Sequence, residues 1–155
     1  MHIRSVPFGL ALSACLCGLA IAQSATGAAG MLKRSQGEVT IERAGQRQPA
    51  APGAVLLVGD TLRTGPGGSA GITLRDDTLM TLGPDAELLL SQFTFDNTTH
   101  DGGMLMSLWR GTLHMLTGLV AKKAPERVNV QTRTVVLGAR GTEFIIETQA
   151  LASPK

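Results

Sequence analysis

An all-β single domain of short strands wound into a β-helix-like roll, preceded by a signal peptide, is the fold class this sequence predicts. Three observations predict it. Beyond the leader, no run of about 11 or more residues shows clear helical periodicity. Short apolar segments recur instead at a spacing of about eight residues, with Gly, Pro and Asp between them. With 19 Gly, 7 Pro, one Trp, no Tyr and only 3% aromatic residues, packing must rest on Leu, Val, Ile, Ala and Met, which suit narrow, repetitive β-layers.

At 155 residues and 16.2 kDa the chain has room for one domain. It is 43% hydrophobic and 17% charged with a formal charge of +2. That is too apolar for a disordered tail, and it lacks the charge that draws nucleic acid.

The opening residues carry Arg4, an apolar run from Phe8 to Ala22, and small residues at Ala20 and Ala22 ahead of Gln23. This is the pattern of a bacterial secretory signal peptide over 1–22, cleaved after Ala22. The run of about 15 apolar residues is shorter than the roughly 20 that cross a bilayer as a helix, so no transmembrane span is expected after cleavage. Leu12-Ser13-Ala14-Cys15 also has the shape of a lipoprotein box that would anchor the chain at Cys15. The sequence stays apolar after Cys15, which favours simple secretion. Cys15 and Cys17 both fall in the leader, so the exported chain is expected to have no disulfide, thiolate metal site or cysteine nucleophile.

A lead-in segment over 23–36 precedes a domain over 37–147, with a tail at 148–155. In that domain 38–42 alternates, and the Gly- and Pro-containing stretch 45–53 breaks the pattern. Segments 54–58 and 61–64 flank a Gly59-Asp60 turn, and Gly65-Pro66-Gly67-Gly68 reads as a loop. Segments 70–74, 78–82 and 86–90 follow, punctuated by Arg75-Asp76-Asp77 and Gly83-Pro84-Asp85. Segments 104–109, 111–116, 127–136 and 142–147 complete the series. In 127–136, Val128, Val130, Thr132, Thr134 and Val136 share one face of a single strand. Leu88-Leu89-Leu90 and Met104-Leu105-Met106 are apolar on both faces, which is the mark of strands buried on both sides or covered by a loop or partner. Burial in the core is the preferred reading.

Several of these pieces form one ordered pattern. Gly37-Glu38-Val39-Thr40-Ile41 and Pro52-Gly53 are followed by Gly59-Asp60-Thr61-Leu62-Arg63-Thr64-Gly65. Next come the Leu74-Arg75-Asp76-Asp77-Thr78-Leu79 turn, Leu108-Trp109-Arg110-Gly111-Thr112-Leu113, and Gly138-Ala139-Arg140-Gly141-Thr142-Glu143-Phe144. From about Gly37 to Ile146 the chain resembles the FecR domain, the periplasmic module named after the iron-dicitrate transport regulator. The resemblance implies a short β-helix-like or rolled β-fold used for protein contacts in the cell envelope, without enzymatic activity. It marks Gly59, Asp60, Leu62, Thr64, Gly65, Asp76, Gly111, Gly138, Arg140, Gly141, Thr142 and Phe144 as motif residues that serve the fold or a partner contact. In the namesake regulators this domain follows a cytoplasmic segment that contacts a sigma factor and a single membrane helix. It relays the loaded state of an outer-membrane receptor. A chain read as opening on a signal peptide is expected to lack both that segment and the receptor-contacting module, so the relay is not expected to carry over intact. Asp76-Asp77-Thr78 departs from the usual Asp-Gly-Ser. A turn there wants positive φ at its second residue, which Asp tolerates better than most side chains.

Chemistry-bearing groups weigh toward binding rather than catalysis. Arg140, between Gly138 and Gly141, presents five donors that would clamp a partner carboxylate or bridge internally to Asp60 or Asp76; the internal bridge is preferred. Asp76, Asp77, Asp85 and Glu87 lack the spacing of a calcium loop. His100, Met104, Met106, His114 and Met115 have copper-compatible atoms, but methionine also fills aromatic-poor cores. No Gly-x-Ser-x-Gly elbow or phosphate-binding loop occurs, and Lys122-Lys123-Ala124-Pro125-Glu126-Arg127 reads as a solvated loop. The expectation is therefore a non-enzyme with no catalytic residue, cofactor or metal. It would be periplasmic or secreted and contact another envelope protein through the Gly65–Gly68 edge and Arg140, with Phe93, Phe95 and Trp109 as apolar anchors. The alternative is a carbohydrate- or peptidoglycan-binding envelope protein. Mass spectrometry of the exported chain should find Gln23 at its N-terminus; a lipid-modified Cys15 would refute that cleavage.

Overall fold

The computed structural model describes residues 27–139 and 141–149. The leader with both cysteines, Arg140 and the end of the tail lie outside the described residues. In order the strands are β1 (Gly30–Gln36), β2 (Val39–Arg43), β3 (Gln46–Pro49), β4 (Val55–Leu56), β5 (Thr61–Thr64), β6 (Ser69–Leu74), β7 (Leu79–Leu82), β8 (Glu87–Phe95) and β9 (Gly102–Leu116). A short helix α1 (Leu119–Lys123) and a 3-10 turn (Pro125–Arg127) lead to β10 (Val128–Gln131), β11 (Val136–Gly138) and β12 (Glu143–Thr148). Among the described residues no helix is long and apolar enough to cross a membrane.

The all-β expectation holds, and the winding is a curled sheet paired antiparallel except where β10 joins β9. A β-helix would stack its coils in parallel. Two sheets share the long β9. The first runs β4-β1-β6-β7-β9-β12 and uses the C-terminal half of β9. The second runs β3-β2-β5-β8-β9-β10-β11 and uses its N-terminal half. Inward-facing rows line up across each sheet. Leu32, Ile72, Met80 and Met115 oppose one another in the first, and Ile41, Leu62, Leu88 and Leu108 in the second. All eight are buried, so aliphatic and thioether side chains fill the space between the sheets.

Several local details differ from the sequence reading. β1 lies in the stretch read as a lead-in, where Leu32 is its one side chain buried in the core. β3, in the stretch read as a break, has no apolar alternation because all four of its residues are exposed at a sheet edge. Segments 104–109 and 111–116 are one strand, β9. The single strand read over 127–136 is two, because the Thr132 hydroxyl accepts from the amides of Thr134 and Val135 at 3.4 and 3.2 Å and turns the chain back. Such side-chain bonds compete with the ladder. Leu89 and Leu105, read as core, are only half-buried on the outer face.

The two sheets meet at a corner. β7 and β8 run along one edge of β9 as a single arm broken at Gly83-Pro84-Asp85-Ala86, and β9 bends opposite that break at Gly111. Gly111 has φ +87°, and a Cβ there would stand 2.4 Å from Ala86 Cα and 2.5 Å from its Cβ. Only glycine fits both the left-handed backbone and the approach. Underneath, the buried Thr64 hydroxyl donates to Gly83 O at 2.7 Å and accepts from the Ala86 amide at 2.9 Å. Both polar groups of the break are thereby satisfied inside the core.

Gly45 is also left-handed, at φ +77°, but a methyl group on its Cα would meet nothing within 4 Å. Gly45→Ala should therefore cost about 1–2 kcal/mol, the conformational term alone. Gly111→Ala should cost more than about 3 kcal/mol or prevent folding, since a strained backbone and overpacking add. Urea unfolding of the two variants checks the difference.

Candidate interaction surface

Most motif residues act as internal staples. Asp60 is buried, and its carboxylate accepts from Arg43 Nε at 2.8 Å and Nη2 at 2.7 Å and from the Leu57 amide at 2.8 Å. This fork holds the Arg43 guanidinium above its ordinary pKa, chiefly through the hydrogen bond. Leu62 is core, and Thr64 clamps the corner. Gly65 lies against Glu38, where a Cβ would sit 3.0 Å from the Glu38 Cβ.

Asp76 is fully buried. One oxygen accepts from the Thr78 hydroxyl at 2.8 Å, the other from the Thr78 amide at 3.2 Å, and that hydroxyl in turn accepts from the Gly118 amide at 3.0 Å. The intervening Asp77 sits at φ +64°, the conformation the motif requires. Asp60 and Asp76 thus have partners other than Arg140, which lies outside the described residues. Downstream, Gly138 ends β11, and the Thr117 hydroxyl donates to Gly141 O at 3.0 Å while the Thr117 amide donates to Thr142 O at 2.8 Å. Phe144 is half-buried against the core.

Of the expected contact edge, Pro66 and Gly67 are exposed and Gly68 is buried. Gly68 packs on the Glu38 backbone, where a Cβ would lie 2.9 Å from Glu38 O. Phe93 and Phe95 pack against the core, and Phe95 also stacks on His100 with ring centroids 6.2 Å apart. Trp109 is half-buried in β9. The imidazoles and thioethers are likewise kept apart: Met104, Met106 and Met115 are buried, whereas His114 lies on the outside with Nε2 2.7 Å from Glu143 Oε1. Among the described residues no three His, Cys, Asp or Glu side chains converge as metal ligands.

The outer faces of the two sheets differ around their centres, although Val136 and Leu137 of β11 are also exposed at the end of the second. On the second, Glu42, Arg47, Arg63, Glu87 and Arg110 form a continuous ion ladder, with Arg63 to Glu87 at 2.9 Å and the remaining contacts at 3.4–3.5 Å. Each such exposed pair contributes little to stability, but together they keep that face hydrated. On the first sheet, Val55, Met31, Thr73, Leu79, Leu116 and Glu143 stand opposite one another strand by strand. Ile145 lies in the next row, opposite His114. Met31, Val55, Leu79, Leu116 and Ile145 are 36–68% exposed. Six strands at a spacing of about 4.8 Å make this apolar stripe about 24 Å long. A run of exposed apolar side chains of that length is a candidate contact surface. The sequence carries a faint sign of it: Leu79 and Leu116 each adjoin a buried methionine, one apolar residue too many for strict alternation.

A model of the FecR protein family matches residues 60–153. No curated protein and no solved structure matches the chain.

If the stripe serves contact rather than folding, Leu79→Thr should change stability by no more than about 0.5 kcal/mol. Truncating its buried neighbour, Met80→Ala, should cost about 2–5 kcal/mol. Equal losses in urea unfolding would place Leu79 in the core and refute the assignment.

Proposed function

We propose, from the premise that this chain belongs to the FecR family, that it is an exported, non-catalytic protein-interaction and sensing module of the bacterial cell envelope. The observation that carries the reading is the exposed apolar stripe on the first sheet, set against an ion-paired second face on the same small domain. Nothing in folding requires Leu79, Leu116 and Ile145 to face water, and burying them against another protein would recover about 25 cal/mol for each Å² removed from solvent. The motif residues support the same reading from the other side. Asp60, Thr64, Asp76 and Gly111 are consumed in holding the fold.

A second reading, binding of an envelope polysaccharide, has one observation in its favour. An open trough of about 1040 Å³ crosses the outer face of the second sheet, with Gln92, Thr94, Leu105, Asn129 and Gln131 along it. Amide and hydroxyl groups beside a flat apolar patch suit a sugar face.

Capture from a crosslinked envelope extract tests the two. The interaction reading expects a defined protein partner that is lost with Leu79→Arg and retained with Gln92→Ala. Retention on insoluble cell-wall material without a protein partner, lost with Gln92→Ala and indifferent to Leu79→Arg, would replace it with the polymer reading.

A further inference from the structure

The apolar stripe carries charge of opposite sign at its two ends. A bulge in β1, where the register slips between Leu32 and Arg34, sets Lys33 and Arg34 together against Gly71 of β6. Two cations thus border the stripe on one side. Four strand spacings away, about 19 Å, β12 presents Glu143 and Glu147 on either side of Ile145. Among the described residues neither Lys33 nor Arg34 belongs to an ion pair, and Glu147 has none either. β7 lies midway between β1 and β12, with Leu79 at the centre of the row.

We propose that the occupant of this face is a second copy of the same chain, packed sheet on sheet about a two-fold axis. The proposal rests on the interaction reading above and names its partner. Two orientations of such an axis lie in the plane of the face. An axis across the strands would lay β1 on β1 and β12 on β12, bringing like charges together. An axis along the strands lays β1 of one copy over β12 of the other, so that Lys33 and Arg34 stand over the partner subunit's Ile145, between the partner's Glu143 and the partner's Glu147, once at each end. The same operation sets Leu79 against Leu79 of the partner subunit and Thr73 against Leu116 of the partner subunit. Both axes place Leu79 on Leu79 of the partner subunit, and charge selects the one along the strands, the layout of a self-complementary interface with a polar rim. A face about 24 Å by about 20 Å is smaller than the roughly 800 Å² per partner of a stable complex, so the dimer is weak and sensitive to salt.

Sedimentation equilibrium of the purified exported chain, up to about 1 mM to reach so small an interface, reads the outcome. A shift from monomer to dimer mass with concentration is expected, weakened by added salt. Leu79→Arg should weaken association at least about tenfold with an unchanged urea midpoint. Lys33→Glu with Arg34→Glu should weaken it comparably, and adding Glu143→Lys with Glu147→Lys should restore it. A chain that stays monomeric throughout overturns the proposal, as does a dimer indifferent to Leu79→Arg. Failure of the second charge reversal to restore association overturns the two-fold described. A monomer that still loses its envelope partner on Leu79→Arg would sink this inference alone; a dimer that captures nothing from the envelope would sink the sensing role alone.

Discussion

The bend of β9 at Gly111 is the constraint on which the remaining structure depends. One strand can belong to two sheets only if it turns sharply between them, and it can turn there only because no side chain separates it from Ala86. Thr64 completes the corner by supplying a donor and an acceptor to backbone groups that the bend has removed from the ladder. Once the corner is set, the inward rows of both sheets face each other, and a core with almost no aromatic side chains can close on aliphatics and methionines. Motif residues from two distant parts of the chain, Thr64-Gly65 and Gly111, meet at or beside this single place.

The same corner determines which surfaces remain for other work. Each strand has an inner and an outer register, so folding the sheet on itself hides one set of side chains and leaves the other for solvent. The two outer sets have diverged. The second sheet fills its outer positions with Glu42, Arg63, Glu87 and Arg110, whose ladder favours water. The first fills them with Met31, Leu79, Leu116 and Ile145, which favour a partner. The outermost strands follow this division only in part: β3 ends in Pro49 and is polar throughout, a blunted edge, and β12 exposes Ile145 beside the apolar row, but β11 at the far end of the second sheet exposes Val136 and Leu137.

Much of the fold was legible because alternation and turn chemistry act locally. The segment that became β2 stood out by its alternation, those that became β5, β6, β7 and β12 as short apolar runs between turn residues, and the left-handed Asp77 followed from the geometry its turn demands. What escaped notice depends on partners far away in the chain. β1 is recruited by β6, β3 has only edge pairing to define it, and the split at Thr132 turns on a hydroxyl that a period-2 count treats as an ordinary strand residue. The contact surface was less legible still. Phe93 and Phe95 pack against the core and Gly68 on the Glu38 backbone, while the exposed leucines look individually like core. Which face a leucine occupies is decided by register, and register is fixed only when the strands have paired.

The staple between Thr64 and the Gly83–Ala86 break bridges about 20 positions, and the contact of Ala86 with Gly111 bridges 25 more. No early fragment of the chain can therefore lock: residues 30–100 hold both halves of a mould whose keystone has yet to arrive. Structures dominated by such remote pairings condense slowly. For a polypeptide that must thread a translocation pore as an open strand, as the export proposed above requires, this delay is a safeguard, since it postpones collapse until the crossing is nearly complete.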